Sequence, residues 1–163
     1  MRRTLLITAP LIAVLAACGT RPAPSTPVAP APAAPPAPTL GSEQRRLAAL
    51  FEGTPVVFAM QRDGSLRVTV PLRYCFDPGA ARVRPPLGAV LDRLAKSQLQ
   101  AASTFRVTAP SDPGARGLDL ARDRALATRD YLMGQHLAAT RLQVAGAAQT
   151  EGIEIVVTDA PAH

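Results

Sequence analysis

The sequence predicts an α+β sandwich, a mixed sheet with two main helices on one face, preceded by a signal peptide and a Pro/Ala-rich linker. Three observations carry this expectation. Between Phe105 and Leu132 the pattern passes from strand through a glycine-bearing loop to helix. After an Asp63-Gly64 turn, Leu66, Val68, Val70 and Leu72 alternate with Arg67, Thr69 and Pro71, which gives a strand one apolar and one polar face. From Arg21 to Thr39 prolines alternate with alanines, a composition that makes an extended spacer rather than a packed element.

The N-terminal segments are accessories to the folded unit. Met1-Arg2-Arg3 is a basic start, and Leu5 to Ala17 is an apolar run too short to span a bilayer, as in a signal peptide. The run ends Leu15-Ala16-Ala17-Cys18-Gly19, which resembles a bacterial lipoprotein lipobox. That resemblance implies cleavage before Cys18 and a diacylglycerol thioether on its sulfur; the other reading is an ordinary small-residue cleavage site with an incidental cysteine. At about 0.8 kcal/mol per buried methylene, the acyl chains of such a lipoprotein hold it on a membrane for its lifetime. Residues 1–17 then form the signal peptide, 18–41 the lipidated N-terminus and linker, and 42–160 the folded domain. In polyproline II geometry, at ~3.1 Å per residue, the linker and its flanks reach roughly 60 to 70 Å.

Within the domain, Ser42 reads as a helix N-cap, with Leu47, Leu50 and Phe51 as a short apolar stripe ending at Gly53. Pro55 to Met60 reads as a strand, and Tyr74-Cys75-Phe76 as a further strand position with a buried, inert thiol. A first long helix begins near Pro85-Pro86 and buries Leu87, Val90, Leu91, Leu94 and Leu99. Phe105 to Ala109 forms the central strand, and the loop Pro110 to Gly117 leads to a second long helix from Leu118. Its stripe is Leu118, Ala121, Ala125, Thr128 and Leu132, with Asp123 and Asp130 opposite. Arg124 sits on the flank of that stripe, so its guanidinium is partly buried and needs an anion. Arg122 and Arg129 lie on the other flank, in solvent. Arg141 to Gly146 and Gly152 to Val157 read as the last two strands.

Charge and composition exclude several classes. The net charge of +6 falls to +4 without Arg2 and Arg3, and the remaining arginines are interspersed with acids. There is no basic run and no aromatic stacking platform, which argues against nucleic acid. With Cys18 acylated, Cys75 has no intramolecular partner for a disulfide. The sequence holds no metal-ligand cluster, no cofactor motif, no G-x-S-x-G and no Cys-His pairing, which leaves a hydrolase poorly supported.

The strand-loop-helix unit resembles the OmpA-like, peptidoglycan-associated domain family. The resemblance rests on Ala109-Pro110-Ser111-Asp112, where the family has G-H-T-D, and on Leu120-Ala121-Arg122-Asp123-Arg124-Ala125 followed by Tyr131-Leu132. Arg141-Leu142-Gln143-Val144-Ala145-Gly146 stands at the family's R-I-x-V-x-G, and Tyr74 to Gly79 is similar to its F-x-x-G segment. The departures are Ala-Pro-Ser for Gly-His-Thr, Gly117 for the family's Asn, Ala121 for its Ser, and a shorter Asp-to-Arg interval. The resemblance implies an outer-membrane lipoprotein facing the periplasm that binds peptidoglycan noncovalently through the diaminopimelate of a stem peptide. Asp112 and Arg124 would then be the ligand-binding pair, with Ser111 a minor contact. The competing readings are that Asp112 only satisfies Arg124 or caps the helix, and that the domain is an assembly module with an envelope protein partner.

Overall fold

Alternation along one hairpin decides which side of the sheet is covered. The computed structural model describes residues 39–112, 118–147 and 150–160. Cys18, the signal peptide and the linker lie outside the described residues. Strand β1 (Val57–Met60) pairs antiparallel with β2 (Leu66–Pro71) through a turn in which Gly64 has φ +81°. Only glycine holds that left-handed conformation without a steric cost. The Asp63 carboxylate accepts from the Ser65 N–H at 2.9 Å and from its hydroxyl at 2.7 Å, fixing the turn from inside. Leu66, Val68 and Val70 are buried while Arg67, Thr69 and Pro71 are half-buried, as the period of two requires.

The sheet order is β1-β2-β5-β3-β4, with β3 (Thr104–Thr108), β4 (Leu142–Val144) and β5 (Gly152–Thr158). Only β3 and β4 run parallel, so the sheet is mixed. The final strand enters between β2 and β3, and the register aligns Leu66, Val157, Phe105 and Leu142 in one row and Val68, Ile155 and Val107 in the next. All of these side chains are buried in one core. Helix α3 (Pro85–Gln98) supplies Leu87, Val90, Leu91 and Leu94 to it, and α4 (Leu118–Gly134) supplies Ala125 and Leu132. The expected sandwich is therefore present.

Four local expectations are corrected. Helix α1 (Leu40–Leu50) is capped by Thr39, whose hydroxyl accepts from the Ser42 N–H at 3.2 Å. Ser42 is the reciprocal partner, its hydroxyl oxygen accepting from the Thr39 N–H at 3.0 Å. The buried stripe of α1 is consequently Leu40, Glu43 and Leu47, and Leu50 is exposed. Leu99 follows the last turn of α3 and is exposed as well. Tyr74-Cys75-Phe76 is not extended: α2 (Leu72–Cys75) is a single helical turn. That turn lets the buried Cys75 thiol donate to the Pro71 carbonyl at 3.3 Å.

Two glycines stand at close approaches, and the second is dictated by its neighbour's backbone. A Cβ on Gly88 in α3 would stand 2.9 Å from the Tyr131 hydroxyl, which donates across the helix pair to Asp92 at 2.9 Å. A Cβ on Gly152 would stand 2.2 Å from the Val70 carbonyl oxygen and 2.8 Å from its carbon. Those atoms belong to the β2 backbone and cannot yield independently. Gly152→Ala is therefore expected to destabilise by about 3 kcal/mol in urea unfolding. Gly134→Ala, which meets nothing within 4 Å, should be neutral or stabilising by up to about 1 kcal/mol.

Candidate functional site

Arg124 lies two turns into α4 with no exposed side-chain surface. Burial of a guanidinium is costly unless its donors are met. Here Nε donates to the Ala80 carbonyl at 2.9 Å, Nη1 to the Pro110 carbonyl at 3.2 Å, and Nη2 to the Asp77 carbonyl at 3.4 Å. Nη2 also donates to Asp112 Oδ1 at 2.6 Å, a charge-assisted bond. The Phe76 ring packs on the guanidinium at 5.3 Å. One side chain thus gathers the loop after α2, the loop after β3, and α4.

Asp112 is held from two sides. Its Oδ2 accepts from the Gly79 N–H at 2.7 Å, an amide aimed inward because Gly79 has φ +70°. The Gly79 amide first, and then the Arg124 guanidinium, hold the Asp112 carboxyl below the usual carboxylate range. Its side chain keeps 23% exposure, against none for Arg124. The exposed part faces an open pocket of about 880 Å³ lined by Pro71, Phe76, Pro78, Pro110, Ser111 and Asp112, with Arg73, Arg84 and Glu151 supplying further charge. Ser111 is half-buried in the same wall.

The two sequence-selected charges therefore meet, but in series. Asp112 reaches the pocket; Arg124 stands behind it and is not part of the lining. Each of the three Arg124 nitrogens has a partner within the chain, and the side chain has no exposed surface. The start of α4 at Leu118 borders residues 113–117, which lie outside the described residues. Arg122 is exposed, and Arg129 pairs with Asp130 at 2.7 Å on the surface.

Sequence reading missed Arg73, Arg84 and the Asp77–Ala80 turn. The Asp77-Pro78-Gly79 run signals a turn, but nothing local says that its carbonyls face α4. Cys75 lies close by and is chemically quiet: burial pushes its thiol up to about 12. Among the described residues, no group of three or more His, Cys, Asp or Glu could hold a metal ion.

Solved structures share this architecture. A MotB-like protein from Desulfovibrio vulgaris superposes with a TM-score of 0.59 at 15% identity, covering 74% of this chain and 92% of its own. The cell wall anchor of the T6SS from Pseudomonas aeruginosa gives 0.58 at 20% identity, covering 72% of this chain and 97% of its own. The chain has the OmpA-like fold. The periplasmic domain of Helicobacter pylori MotB gives 0.52 at 17% identity, covering 69% and 83%. No protein-family model matches the sequence, and no curated protein is a significant match. In this fold the acid stands in front of the base, on the solvent side.

Two outcomes follow for this pair. Arg124→Ala, which strands three carbonyls and the carboxylate and opens a cavity, is expected to cost about 3 to 5 kcal/mol in denaturant unfolding. Asp112 has a lowered folded pKa, so its stabilising contribution is complete above the ordinary aspartate value of 3.8 and is lost as pH falls through the lower folded value. The stability difference between the wild type and Asp112→Asn should accordingly shrink on acidification in that window, read by thermal unfolding against pH.

Proposed function

We propose that this domain binds peptidoglycan noncovalently, taking the diaminopimelate end of a stem peptide into the Asp112 pocket, while a lipid on Cys18 holds the protein in the outer membrane. The observation that carries the reading is the oriented Asp112 carboxylate at the pocket wall. Among the described residues each of its oxygens has one hydrogen bond, and a carboxylate accepts about four in all, so an ammonium can still be received. The diaminopimelate end carries that ammonium beside a carboxylate on one carbon. The apolar walls, Pro71, Phe76, Pro78 and Pro110, suit the methylene chain of such a ligand. The fold shared with the T6SS cell wall anchor supports the same reading.

In this reading Ser111 is a minor contact and Arg124 acts through Asp112, setting its charge and direction. The Pro/Ala-rich spacer carries the domain from the membrane towards the wall, in the periplasm. A second reading is favoured by one observation: every nitrogen of the buried Arg124 guanidinium has a partner within its own chain. It makes the domain an envelope assembly module that binds a protein partner and no peptidoglycan.

Co-sedimentation with purified sacculi separates the two. The wild type is expected to be retained, and Asp112→Ala to lose about tenfold or more of that retention, the scale of one charge-assisted contact. Equal retention of both proteins would rule out the pocket. Wild-type protein that ignores sacculi yet co-purifies with envelope proteins supports the second reading. Cys18→Ser, which removes the sulfur to be acylated, should abolish incorporation of labelled fatty acid into the protein.

A further inference from the structure

A zwitterion needs a cation as well as an anion, and Arg124 is sealed behind Asp112. Among the described residues, the arginines that line the pocket are Arg73 and Arg84. They are not equivalent. Arg73 is exposed, its guanidinium lying 4.8 Å above the Tyr74 ring. Arg84 is half-buried and fixed at both ends: its N–H donates to the Cys75 carbonyl at 2.9 Å, and its Nη1 to the Arg73 carbonyl at 2.7 Å. Its only acid partner among the described residues is the exposed Asp77, at 3.4 Å from Nε. Nη2 has no partner among the described residues.

Arg84 is also the N-cap residue of α3, and Pro85 and Pro86 follow it. Proline has no backbone N–H, so the helix start lacks the amides with which a helix N-terminus ordinarily meets an anion. An anion arriving there is met by the Arg84 fork. Both sides of the pocket are therefore preset: Asp112 is held by Gly79 and Arg124, and Arg84 by the Arg73 and Cys75 carbonyls of the α2 turn. Preorganised charges lose little entropy when a guest arrives.

Resting on the peptidoglycan reading above, we infer that Arg84 receives the ligand carboxylate, so that the zwitterion is gripped between Asp112 and Arg84 while Arg124 remains a positioning residue. The selectivity of the pocket for a free acid over the corresponding amide then resides in Arg84. An amide brings no charge for the fork and presents an N–H₂ that the fork cannot receive.

The test uses full-length protein in detergent and isothermal titration with two probes. One is a soluble stem tripeptide ending in meso-diaminopimelate; the other is the same peptide with the carboxylate beside the distal ammonium converted to the amide. The wild type is expected to prefer the acid by about tenfold or more. Arg84→Gln should bind the two peptides equally, with an unchanged circular dichroism spectrum to report an intact fold. Arg84→Lys, which keeps the charge without the planar fork, should fall between them; it is the variant to read if Arg84→Gln does not fold. An Arg84 variant that folds and keeps the full wild-type preference overturns the assignment while leaving the peptidoglycan reading in place. A wild type that binds neither probe nor sacculi overturns both.

Discussion

One buried guanidinium determines the shape of the domain where it meets its surroundings. Arg124 reaches carbonyls 44, 47 and 14 residues away in sequence and a carboxylate 12 residues away. No hydrophobic contact could impose that arrangement, because apolar packing specifies volume and not direction. Removing the side chain leaves oriented acceptors without donors. The loops that carry them would then have no reason to keep their present paths. The pocket is in this sense a by-product of satisfying one charge, and its rigidity comes from the cost of leaving that charge unmet.

The same constraint explains the state of Asp112. A carboxylate at the end of an exposed loop would ordinarily sample many rotamers and titrate near its usual value. Here an amide from Gly79 and a guanidinium from α4 hold one orientation and favour the ionised form. The positive φ of Gly79 is what turns that amide inward, so the glycine of Asp77-Pro78-Gly79 acts on the site through its backbone alone. Direction and charge are thus fixed before any guest arrives. The nearby Cys75 contributes packing only, since a thiol pushed up to about 12 is not a nucleophile at neutral pH.

Much of the fold was legible because alternation and helical periodicity are local properties. The β2 strand, the Asp63-Gly64 turn, the Pro85-Pro86 helix start and the α4 stripe can be read from short windows. The insertion of β5 between β2 and β3 cannot, because it is a long-range choice that Gly152 permits by letting two backbones touch. Arg124 was legible as a cation on the flank of an apolar stripe and in need of an anion. Arg141 was not, although it does comparable work elsewhere: it donates to the Ser103 carbonyl at 2.7 Å and the Gln98 carbonyl at 2.9 Å, tying the end of α3 to the approach of β4. Carbonyl acceptors leave no trace in side-chain sequence, which is why Arg84 escaped notice too. The one-turn helix at Leu72–Cys75 was misread because Tyr, Cys and Phe favour strands intrinsically, and tertiary context overrides that preference.

The stacking of acid in front of base follows from helix geometry. Side chains on an α-helix lean towards its N-terminus, and Arg124 lies six positions beyond the first residue of α4, at Leu118. Its guanidinium therefore reaches back towards the helix start, where Pro110 to Asp112 cross at the end of β3. The Asp112–Arg124 bond at 2.6 Å keeps that crossing close, so the acid lies over the base and takes the solvent side. An acid displaced along a longer loop could leave the guanidinium open to a guest. In this chain Asp112 takes the solvent side of Arg124, and among the described residues the cations that line the pocket come from another wall.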